Sequence, residues 1–201
     1  MDFLLKAPGQ PRRVGILPGS FHPITRAHVA LARAALEVVD EVILVMPRRF
    51  PHKDYEQVTL EQRIELVCRA AAAEPNLSVA ITEGGLFLEI AREARQAYPQ
   101  ASFFFLCGRD AAERIVGWNY QGECPIEEQL TEFSLLVADR QGHYEAPLHL
   151  QDRVMHLQLD AVCDAISATE VRRRIAEGQD WRGLVPETIA DDVKLLYGGG
   201  T

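Results

Sequence analysis

Short apolar runs alternate with longer amphipathic stretches along most of this chain of 201 residues. The apolar runs predict strands, and several are continuously apolar, as expected where helices cover both faces of a sheet. They lie at 14–17, 42–46, 77–81, 103–106, 135–138 and 154–159. Helices are predicted at 28–39, 60–73, 86–98, 111–116, 169–176 and 187–197. Because strands and helices alternate, we expect an α/β fold: a doubly wound parallel sheet followed by C-terminal helices.

Several predicted helix starts have the spacing of a capping box, in which two side chains three positions apart bond each other's backbone amides. The pairs are Thr59 with Gln62, Asp110 with Glu113, and Ser167 with Glu170. No repeat, low-complexity tract or linker divides the chain, so we predict one domain over residues 1–201. Residues 1–12, which contain Pro-Gly-Gln-Pro, are predicted to be a flexible extension.

The formal net charge is −8 at pH 7. Without a basic excess the surface does not suit general nucleic-acid binding, and an anionic ligand needs locally concentrated donors. No apolar segment is long enough to span a bilayer, so we expect no membrane partner. The cysteines are too scattered for a zinc ribbon or a disulfide framework, and we therefore expect the reducing cytoplasm. The sequence does not give the oligomeric state, and a homo-oligomer is compatible with it.

The first predicted strand is followed by the turn Gly19-Ser20-Phe21 and by a helix start that contains Thr25 and His28. In doubly wound sheets, ligands bind outside the carboxyl ends of the strands. Thr25 and His28 are three residues apart, on one face of a helix near its positive end. An anion there can accept hydrogen bonds from a hydroxyl, an imidazole and backbone amides. An isolated histidine at such a position also serves as a local cap or packs in a core.

A second helix start, within residues 166–172, has similar chemistry. Ser167 is the predicted N-cap, Thr169 lies in the first turn, and Arg172 follows three residues later on the same side. Two hydroxyls and a guanidinium at a helix N-terminus suit a polyphosphate. The two arginines that follow Arg172 are rotated away and are predicted to be solvated surface charge.

A basic loop follows the second predicted strand and contains Arg48, Arg49, His52 and Lys53. Beside a predicted ligand site, these residues indicate contact with an anion, and a solvated run of charge explains them equally well. His22 and His28 are not predicted to bind a metal ion, because the sequence places no further cysteine or carboxylate near them.

In this order, the motifs resemble those of the nucleotidylyltransferase superfamily with the T/H-x-G-H motif, and most of all those of the nicotinate- or nicotinamide-nucleotide adenylyltransferases. The resemblance extends from residue 14 to about 197 and implies a Rossmann-like nucleotidylyltransferase fold. The matching segments are 19–28 (GSFHPITRAH against G-x-F-D-P-I-H-x-G-H), 51–53 (PHK), 108–110 with Trp118 (GRD against G-x-D and a Trp eight residues on), 166–172 (ISATEVR against I-S-S-T-x-I-R) and 184–186 (LVP).

The resemblance implies an enzyme of NAD biosynthesis that joins the AMP moiety of ATP to nicotinate (or nicotinamide) mononucleotide and releases pyrophosphate. Mg²⁺ is expected to bridge the ATP phosphates. The residues implied to be catalytic are His28, Thr25, Arg172 and Lys53, with His28 donating to the α-phosphate. The residues implied to bind the nucleotide are Gly19, Ser20, Phe21, His22, Gly108, Asp110, Ile166, Ser167 and Thr169. Trp118 and His52 are implied to bind the acceptor.

The chain departs from the family pattern at His22, which replaces an aspartate, at Thr25, which replaces a histidine, and at Ala27, which replaces a glycine. Segment 83–88, EGGLFL, replaces the hydroxyl-rich segment that recognises the pyridine substituent. Two alternatives therefore stay open. One is a transferase that uses another phosphorylated acceptor, phosphopantetheine or a phosphoalcohol, and the other is a non-catalytic nucleotide-binding homologue. A dinucleotide oxidoreductase is disfavoured because no G-x-G-x-x-G follows the first strand.

Overall fold

The computed structural model describes residues 1–48, 58–118, 120, 124–139 and 142–199. Its strands are β1 Asp2–Leu5, β2 Arg13–Pro18, β3 Glu41–Pro47, β4 Leu77–Thr82, β5 Ser102–Gly108, β6 Ser134–Ala138 and β7 Val154–Leu157. Every strand predicted from the apolar runs is present. The last one ends at Leu157, two residues earlier than predicted.

The α-helices are α1 Arg26–Ala35, α2 Leu60–Ala71, α3 Phe87–Ala97, α4 Arg109–Gly117, α5 Ile126–Gln129, α6 Ala168–Ala176 and α7 Ala190–Tyr197. The helix predicted at 187–197 begins with a short 3₁₀ turn, Glu187–Ile189, before α7. The four-residue helix α5 was not predicted. None of the helices in the described part of the chain has the length and apolar character needed to cross a membrane.

The strands form one seven-stranded sheet in the order β1-β4-β3-β2-β5-β6-β7. Strands β2 to β7 pair in parallel. The chain first builds outward on one side of β2, through β3 and β4, and then returns to pair β5 on the other side. The strand order therefore reverses between β2 and β5, and in such sheets the carboxyl ends at this point form a crevice. The predicted doubly wound parallel sheet is confirmed.

The N-terminal residues do not form the flexible extension that we predicted. Asp2, Phe3 and Leu5 in β1 pair antiparallel with β4 and extend the sheet by one edge strand. The ammonium group of Met1 also forms an ion pair with Glu93 on α3, at 2.9 Å. Pairing with a strand about 75 positions away depends on tertiary contacts that a local pattern does not reveal.

Two apolar cores cover the two faces of the sheet. On one face, the buried side chains of α1, α2, α6 and α7 pack together, among them Ala32, Val67, Val171 and Val193. On the other face, α3, α4 and α5 pack against Phe103 and Phe105 of β5. Because both faces are covered, the central strands are buried along most of their length, which explains their continuous apolar sequence.

Of the three predicted capping boxes, one is complete and a second is present in part, because Glu170 pairs with Arg173 and Arg174 instead of the Ser167 amide. Thr59 and Gln62 form the predicted capping box of α2, and Ser167 caps α6 by accepting the amide hydrogen of Glu170 at 3.1 Å. The prediction for Asp110 was wrong, because α4 begins earlier and has Gly108 as its N-cap. Asp110 therefore lies in the first turn of α4, where a carboxylate is stabilised by the helix dipole without capping it.

Candidate active site

A cavity of about 490 Å³ opens at the reversal point of the sheet. Its walls come from the carboxyl ends of β2, β5 and β6 and from the starts of α1 and α6. Of the residues predicted to form a site, Thr25, His28, Gly108, Ile166 and Ser167 line it. Among the described residues in this lining, none is an aspartate or glutamate. The cavity therefore combines two helix N-termini with an absence of negative side chains, which suits an anionic ligand.

The start of α1 is closed by a reciprocal pair of side chains. Thr25 is the N-cap and accepts the amide hydrogen of His28, while the amide of Thr25 donates to Nδ1 of His28 at 3.0 Å. An Nδ1 atom that accepts a hydrogen bond carries no proton, so in the neutral ring the proton is on Nε2. His28 therefore caps its own helix, which was the alternative to anion binding in the sequence analysis. The same cap leaves Nε2 as the ring atom that can donate a hydrogen bond to a ligand.

Thr25 is fully buried, with 0% of its surface exposed. Its hydroxyl lies 2.8 Å from Nδ1 of His28. This position supports a role in orienting the imidazole. The predicted direct hydrogen bond from Thr25 to a phosphate stays a prediction.

The turn before α1 is fixed by a backbone hydrogen bond to β3 and packs against the ring of His28. Gly19 donates its amide hydrogen to the carbonyl of Val45 at 3.0 Å, so this amide extends the parallel ladder and is not directed at a ligand. Phe21 has a φ of 42°, in the left-handed region that side chains rarely occupy. Its buried ring contacts the His28 ring edge-on, with 5.2 Å between centroids. Phe21 thus packs against His28, and the predicted contacts of Gly19, Ser20 and Phe21 with the nucleotide stay predictions.

Arg63 is a buried support of the turn before α1 that the sequence analysis missed. It lies on α2, only 4% of its surface is exposed, and its Nη1 donates to the carbonyl of Ser20 at 2.7 Å. The signal for it was available, because position 63 falls on the buried stripe of α2 with Leu66, Val67 and Ala70. A charged residue on a buried stripe needs a specific partner. Here the partner includes the turn that leads to His28.

His22 is buried as well, with 8% of its surface exposed, and its ring packs edge-on against Tyr197 of α7. Burial, followed by the positive charges of Arg172 and Arg63, lowers the pKa of His22 to about 4. The imidazole is therefore neutral at physiological pH. The predicted contact of His22 with the nucleotide stays a prediction.

The start of α6 meets the turn of α1 through Arg172. Its Nη1 donates to the carbonyl of His22, and its Nη2 lies 3.4 Å from the hydroxyl of Thr169. Neither Arg172 nor Thr169 is among the described residues that line the cavity. The following arginines are directed elsewhere, as predicted, because both form ion pairs with Glu170. One guanidinium of the three therefore joins the two predicted phosphate-binding segments.

The carboxyl end of β5 presents Gly108 to the cavity, while Asp110, in the first turn of α4, is exposed and its carboxylate lies 3.5 Å from the guanidinium of Arg109. Cys107, beside Gly108, also lines the cavity. Burial raises the pKa of Cys107 to about 12, so its thiol stays protonated and is not a nucleophile at neutral pH. Cys107 therefore supplies no thiolate nucleophile to the cavity.

A second cavity, of about 610 Å³, adjoins the first and contains Trp118. In the described part of the chain, three residues line both cavities, namely Phe87, Arg114 and Ile115. The Phe87 ring stacks on Phe105 with 4.3 Å between centroids. Trp118 is 66% exposed, so its ring is available for contact with a ligand. Two ligands in these cavities would lie side by side, and the ligand in the second cavity would contact the ring of Trp118.

Two predicted residues, His52 and Lys53, lie outside the described residues, as do Arg49 and its neighbours up to residue 57. Arg48 is described and points away from the cavity. It forms ion pairs with Asp2 and Glu83 at the β1–β4 edge, at 2.7 and 2.5 Å. The segment 83–88 carries no hydroxyl, and the amides of Gly84 and Leu86 are bonded by Glu93 and Glu89.

Comparison with known proteins agrees with this arrangement. The family model described as cytidylyltransferase-like matches residues 16–174. A probable nicotinate-nucleotide adenylyltransferase of Thermus thermophilus is 35% identical over 187 residues, which cover 88% of this chain and 94% of the relative. A second, from Gloeobacter violaceus, is 29% identical over 193 residues and covers 88% and 91%.

A solved structure shows the same fold. It is the Plasmodium falciparum nicotinic acid mononucleotide adenylyltransferase complexed with NaAD, with a TM-score of 0.70 at 18% identity. The match covers 94% of this chain and 98% of that chain. From its sequence match and its fold, the chain is a nucleotidyltransferase that belongs to the cytidylyltransferase-like family, among the nicotinate-nucleotide adenylyltransferases.

Proposed function

We propose that this chain transfers the AMP moiety of ATP to nicotinate mononucleotide and releases pyrophosphate, a step of NAD biosynthesis. The observation that carries the proposal is the pair of adjoining cavities, which share Phe87, Arg114 and Ile115. A reaction that joins two nucleotides needs two sites side by side. In the proposed arrangement, ATP occupies the cavity between α1 and α6, and the mononucleotide occupies the cavity that contains Trp118.

The chemistry requires positioning and charge neutralisation more than it requires a base. The attacking group is the phosphate of the mononucleotide, which is already an anion and displaces pyrophosphate from the α-phosphorus of ATP. Negative charge grows on the α-phosphate oxygens and on the leaving group. The Nε2–H of His28 would donate to the α-phosphate, in an orientation held by the Nδ1 contact with Thr25. Arg172, Ser167 and Thr169 would hold the outer phosphates, and Lys53 would cover them.

Mg²⁺ belongs to this proposal as part of the substrate. No carboxylate is present among the described residues that line the ATP cavity, so the protein offers no hard anionic ligand there. A magnesium ion therefore fits the site only as a companion of the ATP phosphates. When bound there, it would spread their negative charge.

The charges of the second cavity favour the acid over the amide mononucleotide. Arg92, Arg114 and Glu89 line it. Glu89 already accepts the amide hydrogens of Gly85 and Leu86, and either arginine can attract the carboxylate of the nicotinate ring. Trp118 would provide a face on which the pyridine ring stacks. Segment 83–88 has no hydroxyl with which to recognise the pyridine substituent. These two arginines are described groups that could recognise it instead.

Pyrophosphate release from ATP, measured with a panel of acceptors, tests the proposal. The panel contains nicotinate mononucleotide, nicotinamide mononucleotide, phosphopantetheine and a phosphoalcohol, and CTP replaces ATP in a parallel series. We expect turnover with ATP and nicotinate mononucleotide, and slower turnover with the amide. Turnover with phosphopantetheine or a phosphoalcohol alone would move the protein to a different branch of the family. No turnover with any acceptor, together with intact ATP binding, would favour the non-catalytic homologue.

The cytoplasm stays our proposal for its location. All four cysteines are free, as expected in a reducing compartment.

A further inference from the structure

A cluster of one carboxylate and two imidazoles lies beside the ATP cavity and has no part in the proposed reaction. Asp139 directly follows β6, and its amide donates to the carbonyl of Leu157 at 3.1 Å. His156 lies on the neighbouring strand β7, paired with Val137. The carboxylate and one imidazole are therefore held by two adjacent strands of the sheet. His143 approaches them from the segment that follows β6.

The three side chains are close enough to share one ion. Nδ1 of His156 lies 2.9 Å from Oδ1 of Asp139, and Nδ1 of His143 lies 3.0 Å from Oδ2. The two imidazole rings stack with 4.1 Å between centroids and an angle of 28°. One ligand atom from each residue falls within 4.8 Å of the others. Among the residues that the structure describes, no other group of histidine, cysteine and acidic side chains meets this condition.

We propose that Asp139, His143 and His156 bind a transition-metal dication such as Zn²⁺. In a tetrahedral zinc site with ligand bonds of about 2.0–2.1 Å, neighbouring ligand atoms are roughly 3.3 Å apart. The two nitrogen–oxygen distances in the cluster are a few tenths of an ångström shorter, as expected where protons rather than a metal ion bridge the pairs. Small rotations of the side chains, of which His143 is well exposed, provide the difference. The fourth position would hold water.

The ligand set distinguishes this site from that of the ATP-bound magnesium ion. Two imidazoles with one carboxylate suit Zn²⁺, Co²⁺ or Ni²⁺, whereas Mg²⁺ prefers oxygen ligands in an octahedron. The amide of Gln158 lies 3.4 Å from Oδ2 of Asp139 and would orient the carboxylate from outside the coordination sphere. The cluster would therefore select a metal that the reaction itself does not need.

A metal ion bound at this site would link His143 to Asp139 at the end of β6 and to His156 on β7. Ala138, the residue before Asp139, lines the ATP cavity. A metal ion that binds the folded chain and not the unfolded one stabilises the folded chain by mass action. The expected consequence is a more stable wall on this side of the cavity, whether or not the protein transfers adenylate.

Zinc titration of the full chain tests the proposal, with affinity tags removed and metal stripped by a chelator. Calorimetry gives stoichiometry and affinity, and thermal unfolding gives the stabilisation. The variants are His156→Ala and Asp139→Asn, and the matched control is His149→Ala, an exposed histidine that pairs with Glu127 outside the cluster. All are made in a Cys124→Ser background, so that this partly exposed thiol does not compete for zinc.

We expect one zinc ion per chain in the background protein and in the His149 control, and a higher unfolding temperature with zinc. Each cluster variant should bind on the order of tenfold more weakly or worse. Unfolding in the presence of chelator checks that each variant folds. Absence of stoichiometric binding by the folded background protein would overturn the proposal, and so would equal affinity in the cluster variants and the control.

Discussion

The two helix starts beside the ATP cavity, those of α1 and α6, are built from similar residues but arranged differently. In α1, the cap is buried and closed by His28, which is thereby confined to one orientation. In α6, Ser167 caps the helix and Thr169 is exposed, while the cation, Arg172, sits at the end of a long side chain that reaches the carbonyl of His22. One start presents a short, fixed donor, and the other presents a long cation.

The difference indicates a division of labour. A fixed donor is most effective where charge develops in the transition state, because it needs no reorganisation at that moment. A guanidinium on a flexible stem attracts the phosphates already in the ground state, and so contributes to ATP binding as well as to turnover. The following predictions separate these two roles.

Replacement of His28 by alanine should have the largest effect. It removes the donor to the α-phosphate, and one such donor is worth roughly 10²–10³ in turnover. ATP binding should change little. Pyrophosphate release gives kcat, calorimetry gives the Kd of ATP, and His149→Ala serves as the control. Wild-type turnover in His28→Ala would show that this histidine only caps α1.

Acidification tests the residue between the two helix starts. The folded chain holds the pKa of His22 at about 4, below its ordinary value of 6.5, because of burial and then of Arg172 and Arg63. Between these pH values the unfolded chain binds a proton that the folded chain does not. The contribution of neutral His22 to the free energy of unfolding is therefore fully present above pH 6.5. It is lost as the pH falls toward 4, which lowers the free energy of unfolding by up to about 3 kcal/mol.

The measurement is the free energy of unfolding in denaturant between pH 7 and pH 4, for the wild type and for His22→Gln. The variant should lose less stability over this range because it cannot take up the proton. Parallel curves would mean that other groups cause the acid sensitivity.

The arginines of α6 provide a matched pair. Arg172→Ala should weaken ATP binding by roughly tenfold to a hundredfold, since hydrogen bonds to charged groups contribute about 1.5–3 kcal/mol each. Turnover should fall as well. Arg174→Ala should change neither, because Arg174 pairs with Glu170 away from the cavity. Equal effects of the two substitutions, measured by calorimetry and steady-state kinetics, would contradict the assignment of Arg172 to the phosphates.

Trp118 lies apart from both helix starts, so its removal should leave ATP binding unchanged. Ring stacking contributes about 0.5–1.5 kcal/mol beyond buried area, and Trp118→Ala should raise the KM of the mononucleotide by about tenfold. Steady-state kinetics with each substrate varied in turn measures this. If the KM of ATP rises as much as that of the acceptor, the tryptophan packs the loop rather than contacting a substrate.

The smallest effects should come from the two caps. Thr25→Ala and Ser167→Ala should each lower the free energy of unfolding by about 1 kcal/mol, the usual cost of a lost N-cap. Only Thr25→Ala should also lower kcat, by a few fold, because Thr25 orients the imidazole. Thr25→Ser keeps the hydroxyl and should restore turnover. If Ser167→Ala lowers kcat equally, the two helix starts do not differ as described.

The central strands and the place of the site could be predicted because they depend on local pattern and on topology. A continuously apolar run predicts a covered strand, and the carboxyl ends of such strands meet at one edge. His28 and Ser167 followed from that reasoning. By contrast, β1 is short, exposed on one side and paired with a distant strand, so its apolar residues carry little periodic signal.

Other features depend on side-chain contacts that no spacing expresses. The buried stripe of α2 marks Arg63 as a charged residue in need of a partner, but that the partner is the carbonyl of Ser20 is visible only in the structure. Asp110 and Glu113 have capping spacing, yet α4 begins at the strand end and leaves Asp110 inside the helix. The cluster of Asp139, His143 and His156 likewise arises from two adjacent strands and a returning segment, which are separate in the sequence.

Among the described residues, the wall that the two cavities share consists of the side chains of Phe87, Arg114 and Ile115. A compound that occupies both cavities would lose translational and rotational freedom once instead of twice, so its affinity can far exceed that of either half. The linker between the halves would have to pass these three side chains. Leu86 and Leu88 line the second cavity, where they would offer contacts for selective inhibition of this protein.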